Sequence, residues 1–528
     1  MPESRRLATQ EALIRALIAT LEREEVRVEL IETHISWVLV TASYAYKIKK
    51  ALRFDFLDFA TLAARHFYCQ EELRLNRRLA PALYLDVVTV RGSAAHPVLG
   101  GDGPVLEYAV RMRAFAQQAL WSRRLDGKQL KPAEIDQLGH ALVSFHQEAA
   151  VAPSERDWGT PAALRAIADA NLDLLATLAD GAQETADVLA LRGWQQERHA
   201  RLHDTFLQRR VDAKVRECHG DLHCGNIITV DDRVDVFDCI EFNESLRWTD
   251  VMNDLAFICM DLAVRARPEL AARLLNGYLE RGGDYAGLAV LRYYQIECAL
   301  VRWKVGWLQA RRFAARDAVV AERYQAFALQ SMRTRAVPLI ILHGLSGSGK
   351  STLARQLVEL LGAVQIRADV ERKRLHGIGP AAPAPATVGA GLYDAAASRA
   401  TYARLRQLAA SVVRAGWPVL IDATFLRGRQ RHLFRALAGA LGVPFFILDV
   451  QADVALLRSR VRGRVAARAH AADDPSDAGL AVLAHQLGHR DPLTQAELGH
   501  VIRVDTDAGL DRLALRELAG TLLAGAAC

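Results

Sequence analysis

Hydrophobic and polar positions alternate along Trp37–Lys50, WVLVTASYAYKIKK, in the period of two that sends successive side chains to opposite faces of a strand. Paired strands are predicted there. Glu71–Leu79 has helical spacing, so the chain up to about residue 110 reads as a small α+β lobe. From Pro132 to about Met332 the period is mostly helical, and one polar, β-rich island interrupts it, HGDLHCGNIITVDDRVDVFDCIEFN from His219 to Asn243. Beyond Thr334 the pattern changes: VPLIILHGLSGSGKSTLARQLVELL is a buried strand, a glycine turn and a helix in succession. Two further apolar strands, WPVLIDATFL and VPFFILDV, are separated by helical text, the alternation that builds a parallel sheet with crossover helices. GPAAPAPA at 379–386 reads as a loop, and no internal repeat relates the two halves.

Length turns the pattern into domains. A chain of 528 residues exceeds the roughly 250–300 that one hydrophobic core serves, and the change of character near residue 335 divides it into 1–335 and 336–528. A hydrophobic share of 51% with 24% charged residues excludes disordered and fibrous classes. The excess of Lys and Arg (67) over Asp and Glu (61) is small and forms no long basic run, so no nucleic-acid partner is expected. Seven scattered cysteines read as reduced thiols, the N-terminus lacks a signal peptide's apolar core, and no stretch has the apolar length of a membrane span. A soluble cytoplasmic protein without a membrane partner is expected.

Gly344, Gly349, Lys350 and Ser351 satisfy G-x-x-x-x-G-K-[ST] between strand and helix. In that context the loop through Ser346, Gly347, Ser348 and Gly349 to Thr352 turns backbone N–H groups toward phosphates, and the helix N-terminus adds its dipole. Lys350 then reaches the β- and γ-phosphates and Ser351 ligates Mg2+, which predicts binding of ATP or another nucleoside triphosphate. Asp422 closes PVLIDATF, where a carboxylate can orient magnesium or cap a helix. Asp369, in QIRADVERKRL, ends a short strand candidate and is either a general base toward an acceptor hydroxyl or a cap. RSRVRGRVAARA, with Arg458, Arg460, Arg462 and Arg464, is a solvated helix face or a lid whose arginines, Arg458 and Arg462 first among them, neutralise a transferring phosphoryl group, with DDPSDAGLAV as the lid's return. With these motifs, 336–528 resembles the small P-loop kinases grouped with zeta-toxin-like and gluconate-kinase-like ATPases. The resemblance implies an α/β P-loop NTPase domain with a parallel sheet and kinase activity.

In the island, Asp221 precedes Asn226 by the spacing of the H-x-D-x-x-x-x-N catalytic loop, and Asp238 follows the apolar run VDVF. That arrangement suits phosphoryl transfer: Asp221 accepts the proton of an attacking hydroxyl while Asn226 and Asp238 hold magnesium. Zinc binding by Cys218, His219, His223 and Cys224 is disfavoured, because no second knuckle supplies the remaining ligands. Lys47 of YAYKIKK matches the strand lysine of such sites, with Lys49 on the same face, and Glu72 is its expected partner, with Glu71 adjacent. THISWVLVTASYAYK holds no G-x-G-x-x-G, so the phosphates must be covered by a different hairpin, around Thr41–Tyr44.

With LGHALVSFHQEA, these segments make residues 30–330 resemble the aminoglycoside phosphotransferase and choline-kinase-like family. The resemblance implies a two-lobed α+β protein-kinase-like domain. It makes VRMRAF, with Met112 and Arg113, the hinge that meets adenine, and Asp250 and Asp254 structural or substrate-side acids. The whole then reads as a bifunctional fusion that uses ATP and Mg2+ to phosphorylate a small hydroxyl-bearing acceptor. A regulatory ATP sensor with one degenerate site and a toxin-like kinase of an activated sugar are the competing readings.

Overall fold

A computed structural model describes residues 3–23, 27–54, 57–312, 316–333, 336–379, 382, 394–467 and 479–525. Most of GPAAPAPA and residues 473–478 of the lid's return lie outside these. The chain forms two compact units that do not follow chain order: Met1–Ile167 with Phe206–Asp261, and Ala168–Thr205 with Leu262–Cys528.

The first unit carries a six-stranded sheet. Its strands are β1 (Glu29–Glu32), β2 (Ser36–Val40), β3 (Tyr44–Lys49), β6 (Tyr84–Ser93), β7 (His96–Leu99) and β8 (Val105–Arg113), in spatial order β1-β2-β3-β8-β6-β7. Two short strands, β4 (Arg53–Phe54) and β5 (Leu57–Asp58), pair separately. The predicted β2–β3 hairpin forms with Val38 opposite Lys47. Its turn is closed by Thr41, which donates its N–H to Tyr44 O (2.8 Å) and accepts the Tyr44 N–H on Oγ1 (3.1 Å). The turn runs Thr41, Ala42, Ser43 and contains no glycine.

The helix Leu62–Asn76 starts earlier than its sequence pattern suggests, because Thr61 caps it by accepting the Ala64 N–H at 3.0 Å. It buries Cys69, Glu72 and Leu73. The polar island folds as β9 (Val215–Glu217), the hairpin β10 (Ile227–Val230) and β11 (Arg233–Val236), and β12 (Trp248–Asp250), which pairs with β9. Asp231 and Asp232 both take left-handed φ, 49° and 55°, matching the twist a two-residue hairpin turn needs.

The second unit holds helices and a five-stranded parallel sheet of β13 (Leu339–His343), β14 (Val364–Arg367), β15 (Val419–Asp422), β16 (Phe445–Gln451) and β17 (Val501–Asp505). The order is β14-β15-β13-β16-β17. Every residue of β13 and β15 is buried, as expected for central strands covered on both faces. Ile340, Leu342, Leu420 and Leu448 pack against Leu353 and Leu357 of the helix Lys350–Leu361. This is the α/β P-loop architecture, preceded by an α+β kinase-like region. The sequence pattern missed β17, whose charged residues Arg503 and Asp505 break its apolar run.

Candidate functional site

In the first unit, β3 sends Lys47 and Lys49 toward the same buried face, and the helix Leu62–Asn76 answers with Glu72. Lys47 Nζ lies 2.8 Å from Glu72 Oε1 and 2.5 Å from Asp238 Oδ1, so one ammonium joins the helix carboxylate to the acid that follows β11. Lys49 Nζ pairs with Glu72 Oε2 at 2.7 Å and with Glu241. Glu71 instead meets Arg74, so the helix phase selects Glu72. Burial disfavours the Lys47 ammonium, but Asp238 and Glu72 outweigh it and hold its pKa well above the ordinary lysine value. Burial pushes the Glu72 carboxyl up, and the two lysines outweigh that and pull it down to about 2.

Asp238 has a left-handed φ of 65°, rare for a residue with a side chain, and its N–H donates to Tyr84 Oη at 3.3 Å. In the catalytic loop, Asn226 Nδ2 donates to Asp221 O (3.0 Å) and Oδ2 (3.3 Å), which leaves its Oδ1 as the atom for a cation. His223 Nε2 lies 3.4 Å from Asp221 Oδ2. Asp254 holds the start of the loop, accepting the N–H groups of His219 (2.8 Å) and Gly220 (2.9 Å). Gly220 sits at φ 85°, where a Cβ would come 2.8 Å from Leu246 O. Asp250 forms a buried pair with Arg209 and accepts the Met252 N–H at 2.9 Å. Both acids therefore serve structure.

The zinc grouping considered from sequence does not assemble among the described residues; the nearest set of donors is His146, Cys218 and Asp254. There Asp254 already anchors the loop, and burial pushes the Cys218 thiol well above its ordinary pKa. Met112 ends up in a cluster with Ala45, Tyr84, Val110 and Ile228, beside Phe115 and Phe237, while Arg113 is exposed.

In the second unit, Gly344, Gly347 and Gly349 take φ of 147°, 86° and 87° as the loop turns from β13 into the helix Lys350–Leu361. Ser346, Gly347, Gly349, Lys350, Ser351 and Thr352 line a cavity of about 740 Å³, and Asp369 and Asp422 line it too. Gly344 and Ser348 face inward: a Cβ on Gly344 would meet Val450 O at 2.4 Å. Lys350 Nζ donates to Leu345 O at 2.7 Å. Burial, supported by Arg464 and opposed by Asp422 and Asp369, lowers its pKa to about 8. The hydroxyl of Ser351 and the carboxylate of Asp422 are hard oxygen donors of the kind magnesium takes.

Two expectations change here. Of the arginines in the run 458–464, Arg460 and Arg464 line the cavity; Arg458 and Arg462 are exposed on the helix Val454–Ala467, because residues four apart share a helical face. Asp369 lies in the first turn of the helix Ala368–Leu375, two residues past the end of β14, and pairs with Arg372 at 2.5 Å. Arg372, Arg367, Tyr84 and Glu241 were not singled out from sequence. Arg372 alone carried a signal, its spacing of three from Asp369.

The phosphotransferase enzyme family matches residues 58–293, and an AAA domain matches residues 339–493. An uncharacterized protein of Mycobacterium tuberculosis is 30% identical over 482 residues, covering 88% of this chain and 92% of its own, and one of Mycobacterium bovis matches equally. The chain belongs to the family that fuses an aminoglycoside-phosphotransferase-like region to a P-loop kinase-like domain. Solved structures similar to parts of the fusion include a choline/ethanolamine kinase family protein from Mesorhizobium loti, 16% identical, covering 62% of this chain and 99% of that one, with a TM-score of 0.37. A gluconokinase from Sinorhizobium meliloti is 22% identical over 37% of the fusion and 93% of its own chain, with a TM-score of 0.24.

Proposed function

We propose that this fusion protein is a phosphotransferase with two MgATP sites, one in 1–335 and one in 336–528, each moving the γ-phosphate to a hydroxyl of a small acceptor. The observation that carries the reading is the junction of Lys47, Glu72 and Asp238 beside a loop in which Asn226 restrains Asp221. Glu72 holds Lys47 for the phosphates, with Met112 and Arg113 at the adenine edge. Asp221 takes the acceptor's proton as its oxygen bonds to the γ-phosphorus and the bond to the β-phosphate oxygen breaks, releasing ADP. Magnesium, when bound, neutralises phosphate charge, and Asn226 with Asp238 would hold it here as Ser351 with Asp422 would in the P-loop cavity.

In that cavity Lys350 contacts the β- and γ-phosphates, Asp369 faces the acceptor, and Arg460 and Arg464 take the part first given to Arg458 and Arg462. The six buried cysteines among the described residues form no disulfide, which suits a cytoplasmic protein. The reading is tested by screening small alcohols, sugars and aminoglycosides for acceptor-stimulated ADP release with the parent, Asp221→Asn and Lys350→Ala. Stimulation lost in one variant assigns that acceptor to that site. Absence of stimulation by every acceptor favours an ATP sensor.

A further inference from the structure

The Asp422 carboxylate is touched by two side chains of the neighbouring edge strand. Gln365 Nε2 donates to its Oδ2 at 3.0 Å, and Arg367 Nε lies 3.7 Å from the same oxygen. That strand, β14, is gripped in turn by the helix Pro268–Gly282. Asn276 behaves as a peptide unit added at the sheet edge: its Nδ2 donates to Ala363 O at 2.8 Å and its Oδ1 accepts the Gln365 N–H at 2.7 Å. One turn on, Glu280 Oε1 receives Arg367 Nη1 at 3.2 Å, while its main-chain oxygen receives Arg374 Nη2 at 2.5 Å. One turn back, Arg273 reaches Glu359, 3.1 Å away on the helix that begins at the phosphate loop. Positions 273, 276 and 280 recur at the spacing of a single helical face.

We infer that Glu280 is a positioning residue of the P-loop site, one that holds the Arg367 guanidinium off the metal-binding carboxylate of Asp422 while Asn276 fixes the strand presenting it. The inference rests on the MgATP reading of this cavity. Arg367 stands between two carboxylates, Glu280 at 3.2 Å and Asp422 at 3.7 Å. Its charge is shared between them. Without the Glu280 charge, Arg367 closes on Asp422 as its remaining carboxylate of the two, and a carboxylate engaged by a guanidinium is a poorer ligand for a divalent cation. Arg367 and Asp422 line the cavity, whereas Glu280 does not. Its influence is therefore exerted through Arg367. Asn276 and Glu280 both fall within 58–293, the stretch of the phosphotransferase family, and outside the AAA domain at 339–493, so the P-loop site draws part of its framework from the other family's sequence.

The test uses the full chain in a Lys47→Met, Asp238→Ala background, so that the P-loop site dominates nucleotide binding. Calorimetry with a non-hydrolysable ATP analogue gives the Mg2+ concentration for half-maximal binding. Glu280→Gln is expected to raise that concentration about 3- to 10-fold, the size of one partly screened charge contact. Adding Arg367→Gln should return it to within about 2-fold of the background protein, since the competing cation is gone. A purely structural role for Glu280 gives no such restoration. An unchanged midpoint in Glu280→Gln, or a raised midpoint that Arg367→Gln does not restore, overturns the inference. Should Glu280→Gln fail to fold, Glu280→Asp, which keeps the charge on a shorter arm, must shift the midpoint in the same direction or the inference fails. Binding that never depends on Mg2+, even in the background protein, removes the P-loop reading and this inference with it.

Discussion

Lys47 and Lys350 are both buried ammonium groups near a proposed phosphate position, yet their surroundings push them in opposite directions. Lys47 sits against the carboxylates of Glu72 and Asp238 and stays charged at any physiological pH. Lys350 donates to a carbonyl, and burial brings its pKa to about 8. For a base held below its unfolded value, the charged form is disfavoured in the folded protein: that cost is fully present below about 8 and disappears as pH rises toward the unfolded lysine value. Nucleotide binding needs the charged form. Affinity at this site should therefore fall as pH rises through about 8, with proton uptake on binding near that pH, read by calorimetry in buffers of different ionisation enthalpy. A pH-independent affinity between 7 and 9.5 would contradict it. Lys350→Ala should weaken nucleotide binding by at least about tenfold, the scale of one charge-assisted contact. Asp221→Asn should keep MgATP affinity in the first site while lowering transfer by about 100-fold or more, as loss of a general base does; equal turnover would refute the assignment.

At the scale of elements, sequence showed most where local chemistry dictates the backbone. The phosphate loop was legible because three glycines must take positive φ between a fully buried strand and a helix, and Lys47 because strand alternation leaves two candidates on one face. Glu72 could be separated from Glu71 only by the phase of the helix Leu62–Asn76. The arginine run failed for the reverse reason: with a basic residue at every second position from 458 to 464, composition cannot say which face of the helix meets the cavity. Likewise Glu241, Tyr84 and Arg367 owe their places to contacts far along the chain, which no local spacing encodes. Gly344→Ala tests the loop directly. Its added Cβ would meet Val450 O at 2.4 Å, and the loop would have to shift. The variant should lose nucleotide affinity while melting within a few degrees of the parent; unchanged affinity would show that the loop absorbs the contact.

At the scale of the whole molecule, the composition change near residue 335 marks where a new sheet begins but not where compact packing divides. The second unit already contains Leu262 onward and the segment Ala168–Thr205. A fragment of 336–528, cut where the sequence changes character, would lack Arg273, Asn276 and Glu280 and the bonds they make to Glu359, Ala363, Gln365 and Arg367. With each lost bond worth about 1 kcal/mol, that fragment should melt lower than the second unit's transition in the full chain. Calorimetric scans of both check this, and coincident transitions would contradict it.

The helix Pro268–Gly282 also bears on ancestry and engineering. A crossover between related genes placed in the interval between residues 293 and 339 would look clean, since it separates the two matched families. It would nevertheless hand a P-loop sheet to a host whose clamp had diverged, leaving the Gln365 amide and the Arg367 guanidinium to find new partners. Viable chimeras should therefore take this helix and the sheet from the same parent. Substitutions at 276 and 280 should be tolerated in step with those at 365 and 367, although the two pairs stand in what sequence presents as different proteins.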